Sequence, residues 1–311
     1  MSEPALRDTF GKYLVEIGKT NSNLVVLDCD LSSSTKTSEF AKTFPERFFN
    51  VGIAEQNMLG IAMGFSISGK IPLVSGFTIF TIGRAWEFIR MACHDNLNLK
   101  IVTTHGGIVG EDGSTHNSFE DLSLMAALPN LKILIPADNI ELVQILDYAL
   151  KNEGPYYIRL PRGSFPKIHD NRYKFSLGKP DVIKKGNDIC LIGTGYGSIL
   201  ALEAAPIIEK KLNISIKVIN LPNIKPIDEK CLIKEIFDLN GIVIIEEHNV
   251  YCGVGSIIAR IISTYHPIPI KFIGINDCFG QSGERSILLN EHGLNLKNIM
   301  MNVNTLIKKL E

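Results

Sequence analysis

The strongest constraint on the fold is how the apolar residues are arranged. Runs of strand length, apolar without alternation, are separated by stretches of helical period. LVVLDCD (24–30), IPLVSGF (71–77), LKIVTTH (99–105), LKILIPA (131–137) and YYIRLP (156–161) are the runs; AEQNMLGIAMGFSI (54–67) and NIELVQILDYAL (139–150) carry the helical period. A strand that is apolar on both faces must be covered on both, as in a parallel sheet between helix layers. Strand–helix alternation then implies right-handed crossovers and a doubly wound α/β domain.

The pattern breaks at GSFPKIHDNRYKFSLGKPDVIKKGND (163–188), which is polar and punctuated by proline and glycine. Beyond it the alternation resumes with DICLIGTG (188–195), ISIKVIN (214–220), GIVIIEEH (241–248) and PIKFIGI (269–275), and ends in a helix near 298–310. We therefore expect two doubly wound α/β domains, 1–165 and a smaller 187–311, joined by a linker at 166–186; a length of 311 residues suits two domains.

Several function classes drop out. A net charge of -1 supplies no field for a polyanion, so nucleic-acid binding is not expected. No apolar run approaches the roughly 20 residues of a membrane span, and MSEPALRDTFGKYLVEIG lacks the basic-then-apolar form of a signal peptide, so a cytoplasmic protein is expected. The six cysteines form no CxxC pair and read as buried thiols, and the seven histidines include no HxxxH or HExxH, so no metal site built by this chain is expected. GTGYGS (193–198) lacks the third glycine of a dinucleotide fingerprint and reads as a tight strand-to-helix turn. P-loop and GxSxG motifs are absent.

Ligands of open parallel sheets sit beyond the carboxyl ends of the strands. Four loops there carry unusual residues: DCDLSSST (28–35), VGIAEQNM (51–58), GFTIFTIGR (76–84) and THGGIVGEDGSTH (104–116). The last packs two histidines, two acids and four glycines into thirteen residues, more chemistry than a passive surface loop needs.

VGIAEQNMLGIAMGFSISG, SGFTIFTIGRAWEFIR, THGGIVGEDGSTHNSFEDLSLMAALPNL and YIRLPRG resemble the pyrimidine-binding half of transketolase-type thiamine-diphosphate enzymes. EEHNVYCGVGSIIARI (246–261) and DCFGQSGERSILLNEHGLN (277–295) resemble that family's C-terminal domain, so the likeness runs in order from Arg7 to about Leu294. The family's diphosphate-binding domain, with its GDG motif and downstream Asn, has no counterpart in these residues. The chain is thus similar to the small, C-terminal subunit of a split transketolase. That implies thiamine diphosphate as cofactor, Mg²⁺ held by a separate N-terminal diphosphate-binding subunit, and an α2β2 assembly.

The same resemblance implies roles. Glu55 would face the aminopyrimidine's ring nitrogen and activate the cofactor, a task that suits a carboxyl group in a water-poor pocket. Phe80 would stack on that ring with Phe77 beside it, and Asp30 would lie near the cofactor's middle. His105 and His116 would line the donor-sugar channel and move protons, and Asp112 would bind a substrate hydroxyl. The spacing from His105 to Asp112 is one residue shorter than in full-length microbial and plant transketolases. Arg162, Arg7 and Ser34 would hold the terminal phosphate of a sugar phosphate. The segment DCFGQSGE (277–284) reads as packing between the C-terminal domain and its neighbour. The expected reaction is transfer of a two-carbon ketol unit from a ketose phosphate to an aldose phosphate. Alternatives are a 1-deoxyxylulose-5-phosphate synthase or 2-oxo-acid dehydrogenase β-type subunit, a ketol transferase for an unusual sugar or sugar nucleotide, and a non-catalytic regulatory or scaffold subunit.

Overall fold

The computed structural model describes residues 3–308. The first half forms β1 (Leu24–Asp28), β2 (Phe48–Asn50), β3 (Ile71–Phe77), β4 (Lys100–Gly106), β5 (Lys132–Leu134) and β6 (Tyr156–Pro161). The second half forms β7 (Asp181–Lys184), β8 (Ile189–Gly193), β9 (Ile216–Asn220), β10 (Asn223–Lys225), β11 (Gly241–Asn249) and β12 (Ile270–Ile275). One sheet runs β10-β5-β6-β4-β3-β1-β2 and the other β12-β11-β8-β9-β7. Pairing is parallel throughout except for β10 on β5 and β7 on β9, both at sheet edges. These are the two doubly wound α/β units that the continuous apolar runs predict: every residue of β1, β4, β6 and β8 is buried.

Helices cover both faces. In Asn139–Lys151 the apolar residues Leu142, Ile145, Leu146, Ala149 and Leu150 form one buried stripe, and the Asp138 side chain caps the first turn by accepting from Glu141 N. The helix Thr78–His94 is broken at Ala85, whose φ of -117° and ψ of 16° are not helical. The tight-turn reading of GTGYGS holds: a Cβ on Gly193 would stand 2.3 Å from Ser198 N.

Several expectations need correction. The stretch read as a linker, 166–186, contains β7, an antiparallel partner of β9. The short β10 leaves the second half to become an edge strand of the first sheet, so the two units are stitched by backbone pairing with β5. Three-residue strands such as β2 and β10 bury too few apolar side chains to stand out in a sequence. LKILIPA pairs only over Lys132–Leu134. The last helix runs Leu296–Ile307, and positions 309–310 of the expected one lie outside the described residues. Only Cys29, Cys93 and Cys190 are buried thiols; Cys231 is half-buried and Cys252 and Cys278 are exposed, because these last two sit in polar loops rather than in strands.

A polar cluster closes the junction between the units. His169 Nε2 lies 3.0 Å from Asp181 Oδ2, and its Nδ1 lies 3.0 Å from Asp138 Oδ2, though off the hydrogen-bond direction. Glu141 accepts from Tyr173 Oη (2.5 Å), Ala137 N (2.7 Å) and Asn220 Nδ2 (2.8 Å). Burial disfavours the charged imidazole, but the Asp138 and Asp181 carboxylates and the charge of Glu141 outweigh it and push His169 up to about 10.

Candidate active site

The carboxyl ends of β1, β3 and β4 bring most of the candidate residues to one edge. Glu55 opens the helix Glu55–Ile67 and is 5 % exposed. Its Oε1 accepts from Arg84 Nη1 at 2.7 Å, and the Arg84 guanidinium lies 4.4 Å from the Phe80 ring centroid, over its face. Phe77 ends β3 and is buried, while Phe80, one turn into the next helix, is half-buried. Their ring centroids are 6.2 Å apart. His105 lies 3.9 Å from Phe77, and His116 presents an edge to Phe80 at 5.1 Å. Glu55, Phe77, Phe80, His105 and His116 therefore form one cluster.

Backbone geometry sets His105 apart. It has φ of +63°, a left-handed conformation that a non-glycine residue holds only when its surroundings impose it. They do: Thr78 Oγ1 bonds Thr103 Oγ1 (2.8 Å) and donates to Thr104 O (2.9 Å), tying the end of β3 to β4. The ring nitrogen Nδ1 pairs with Thr104 Oγ1 at 2.8 Å. Burial, followed by the charges of Arg162, Arg7 and His116, pushes His105 down to about 3, so it is a neutral imidazole at physiological pH.

The loop after β4 is shaped from below by ionic groups. Arg159, in the middle of β6, donates to both Asp121 oxygens (2.8 and 3.2 Å), to Ser118 O and to Glu247 O (both 3.1 Å). Against the desolvation of complete burial, the Arg159 charge holds Asp121 below the usual carboxylate range. Glu247 of the second unit accepts from Ile108 N at 2.7 Å and from Arg285 Nη2 at 2.9 Å on each oxygen. Gly107, with φ of +82°, fits here because a Cβ would stand 2.6 Å from the Glu247 carboxyl carbon. The segment 277–284 packs as expected: Ser282 Oγ donates to Glu111 O at 2.9 Å, and a Cβ on Gly280 would meet Asn117 Nδ2 at 2.0 Å. A cleft of about 470 Å³ opens beside Ser114, Thr115 and Asn117, walled by Ile79 and by Phe279.

The remaining candidates lie outside the aromatic cluster. Arg7 Nη1 donates to Ser34 O at 3.3 Å, which brings those two together. Arg162 donates to Val109 O at 2.7 Å and forms an ion pair with Asp112, so the residue expected to bind phosphate and the one expected to bind a hydroxyl are paired with each other. Asp30, also left-handed at φ +63°, is exposed and exchanges hydrogen bonds with Asn50; nothing ties it to the Glu55 cluster.

Sequence reasoning passed over Arg84, Asp28, Asp121, Arg159, Glu247 and Arg285. Asp28 is fully buried, and its carboxylate accepts from Leu31 N, Thr35 Oγ1 and Thr37 Oγ1 at 2.6–2.9 Å, which folds the loop that carries Ser34. A signal was available for Arg159 and Glu247: Arg159 is the one charge of β6, and Glu247 lies in the acidic end of a strand that is buried up to His248. Arg84 was passed over because its charged partner, Glu55, lies 29 positions away on another helix, although Phe80 stands four residues before it on its own.

Comparisons with known proteins agree with the fold. Residues 2–167 match the transketolase pyrimidine binding domain, and residues 178–299 match the transketolase C-terminal domain. A putative transketolase C-terminal section of Methanocaldococcus jannaschii is 42 % identical over 310 residues, covering 98 % of this chain and 96 % of the relative. A 6-deoxy-6-sulfo-D-fructose transketolase subunit of Clostridium sp. (strain MSTE9) is 33 % identical over 302 residues, covering 96 % and 94 %. Among solved structures, a split gene transketolase described as an inactive β4 tetramer superposes with a TM-score of 0.90 at 42 % identity, over 98 % of this chain and 99 % of that one. The chain belongs to the transketolase family, in the arrangement of a pyrimidine-binding domain followed by a C-terminal domain.

Proposed function

We propose that this chain is the pyrimidine-binding subunit of a two-chain, thiamine-diphosphate-dependent transketolase, active with a separate subunit that binds the diphosphate and Mg²⁺. The observation that carries the reading is the buried Glu55 carboxylate joined through the Arg84 guanidinium to the face of the half-buried Phe80 ring. This pair suits an aminopyrimidine: the carboxylate can hydrogen-bond a ring nitrogen, and the phenyl face can stack on the ring. When bound, the cofactor supplies a nucleophilic carbon that takes and passes on the two-carbon ketol unit.

The chain's own residues orient and protonate. Glu55 holds the ring nitrogen in a site that burial keeps dry, and Phe80 and Phe77 fix the ring plane. Neutral His105 hydrogen-bonds a substrate oxygen without adding charge, and His116 stands opposite it across the phenyl rings as a proton carrier. Arg7, Ser34 and Arg162 gather at the anionic end of the sugar, with Arg162 released from Asp112 as the anion arrives and Asp112 freed for a hydroxyl. Asp30, exposed at the end of β1, would lie near the middle of the cofactor. Ile53, 76 % exposed two residues before Glu55, and Ile67 at the far end of the helix that Glu55 opens, 74 % exposed, offer an apolar surface for the diphosphate-binding subunit in an α2β2 assembly.

Phosphate is the anion in this reading. The sulfo-sugar relative from Clostridium favours a second one, in which the same arginines take a sulfonate. The test is Glu55→Gln in the reconstituted pair with a ketose phosphate donor and an aldose phosphate acceptor. Turnover is expected to fall by about 10²–10⁴-fold, the size of a general acid–base contribution, with thermal unfolding close to wild type. Unchanged turnover would exclude Glu55 from the chemistry.

A further inference from the structure

Arg84 is not among the residues to which the resemblance assigns a role, yet it touches both halves of the pyrimidine seat. Its guanidinium donates to Glu55 Oε1 at 2.7 Å and stacks over Phe80 at 4.4 Å from the ring centroid. The break at Ala85, the next residue, and the hydrogen bond from Gln56 Nε2 to Arg84 O at 3.1 Å set the backbone from which it reaches back. A planar cation that donates to the carboxylate while lying on the phenyl face does what a planar, protonated or N–H-donating pyrimidine would do there. Both cannot use the same carboxylate oxygen and the same ring face.

The energetics favour exchange over permanence. Glu55 is 5 % exposed, and a buried carboxylate without a partner is costly, so the seat needs a resident cation or donor. The Arg84 side chain is 48 % exposed, so swinging into water costs it little desolvation. We propose that Arg84 is a displaceable plug of the pyrimidine seat: it neutralises Glu55 and covers Phe80 until an aminopyrimidine takes its place. This rests on the reading of Glu55 and Phe80 above. It makes Arg84 a positioning residue, which acts through Glu55 and leaves when the ring arrives.

The experiment is isothermal titration of the full chain with 4-amino-5-hydroxymethyl-2-methylpyrimidine at neutral pH. Arg84→Ala and the gentler Arg84→Gln are expected to bind this probe about two- to fivefold more tightly than wild type, the size of one half-exposed ion pair. Arg84→Lys, which keeps the cation but not the planar group over Phe80, is expected to fall between wild type and the two neutral variants. A merely structural arginine would produce the opposite sign, since its loss would loosen the seat and weaken binding. If Arg84→Ala and Arg84→Gln bind no more tightly than wild type, or do not bind at all, the plug is overturned. Phe80→Ala and Glu55→Gln separate that result from a wrong seat: both are expected to lose affinity for the probe. If they bind it as wild type does, the reading of Glu55 and Phe80 fails as well.

Discussion

Two buried histidines mark two regions of opposite electrical character. His105, at the end of β4, sits in a rim where burial and then Arg162, Arg7 and His116 push it down to about 3. His169, between the two units, sits among Asp138, Asp181 and Glu141, which overcome its burial and push it up to about 10. At the junction the charges are satisfied inside the molecule, so that cluster is a fastener. At the rim Arg162 and Arg7 stand near enough to disfavour a further positive charge on His105, and among the described residues no carboxylate is set against that ring as one is against His169. Burial alone therefore does not distinguish structure from function; the sign and balance of the surrounding charges do.

The largest expected effect is at the junction. His169→Gln removes the cation that lies between the Asp138 and Asp181 carboxylates and is expected to cost about 3 kcal/mol in urea unfolding near pH 6, in the range for breaking a buried pair. The sign also follows. His169 has a folded value above its ordinary 6.5, so its contribution is full below pH 6.5 and is lost as pH rises through 10. Across that window wild-type stability should fall relative to the variant's; a constant difference between the two would remove His169 as the fastener.

At the rim the expected effect is on binding. Arg162→Ala is expected to raise KM for a sugar phosphate about tenfold, roughly 1.4 kcal/mol, while the thermal midpoint stays nearly fixed. An unchanged KM would take Arg162 out of the anion site.

The smallest effect, and of opposite sign to the first, belongs to His105→Asn. Its folded value lies below 6.5, so the unfolded chain binds more protons between about 3 and 6.5, and stability is lost as pH falls through that window. The variant is expected to show a shallower acid limb, by about 1 kcal/mol, in denaturation between pH 5.5 and 6.5. A steeper acid limb in the variant would contradict the neutral, cation-flanked histidine.

Much of this was legible before any coordinates. Continuous apolar runs demanded two-sided cover and hence parallel sheets, and the loops at 51–58, 76–84 and 104–116 were placed at strand ends by the same logic. The cluster of Glu55, Phe77, Phe80, His105 and His116 follows from that placement. What was missed shares one cause. β7 and β10 are short edge strands whose pairing comes from distant chain, so the linker reading of 166–186 could not see the first and nothing marked the second. Cys252 and Cys278 were expected inside on composition, but loops expose what strands would bury.

The sequence by itself determined the two α/β units, the strand-end loops and the family, because apolar periodicity and local motifs are properties of neighbouring residues. Only the tertiary structure decided which charges meet. Arg84 finds Glu55 across 29 positions, Arg159 finds Asp121 across 38, and Glu247 reaches Ile108 across 139. Electrostatic partnership depends on distance and desolvation in three dimensions, and neither is written in the order of the chain.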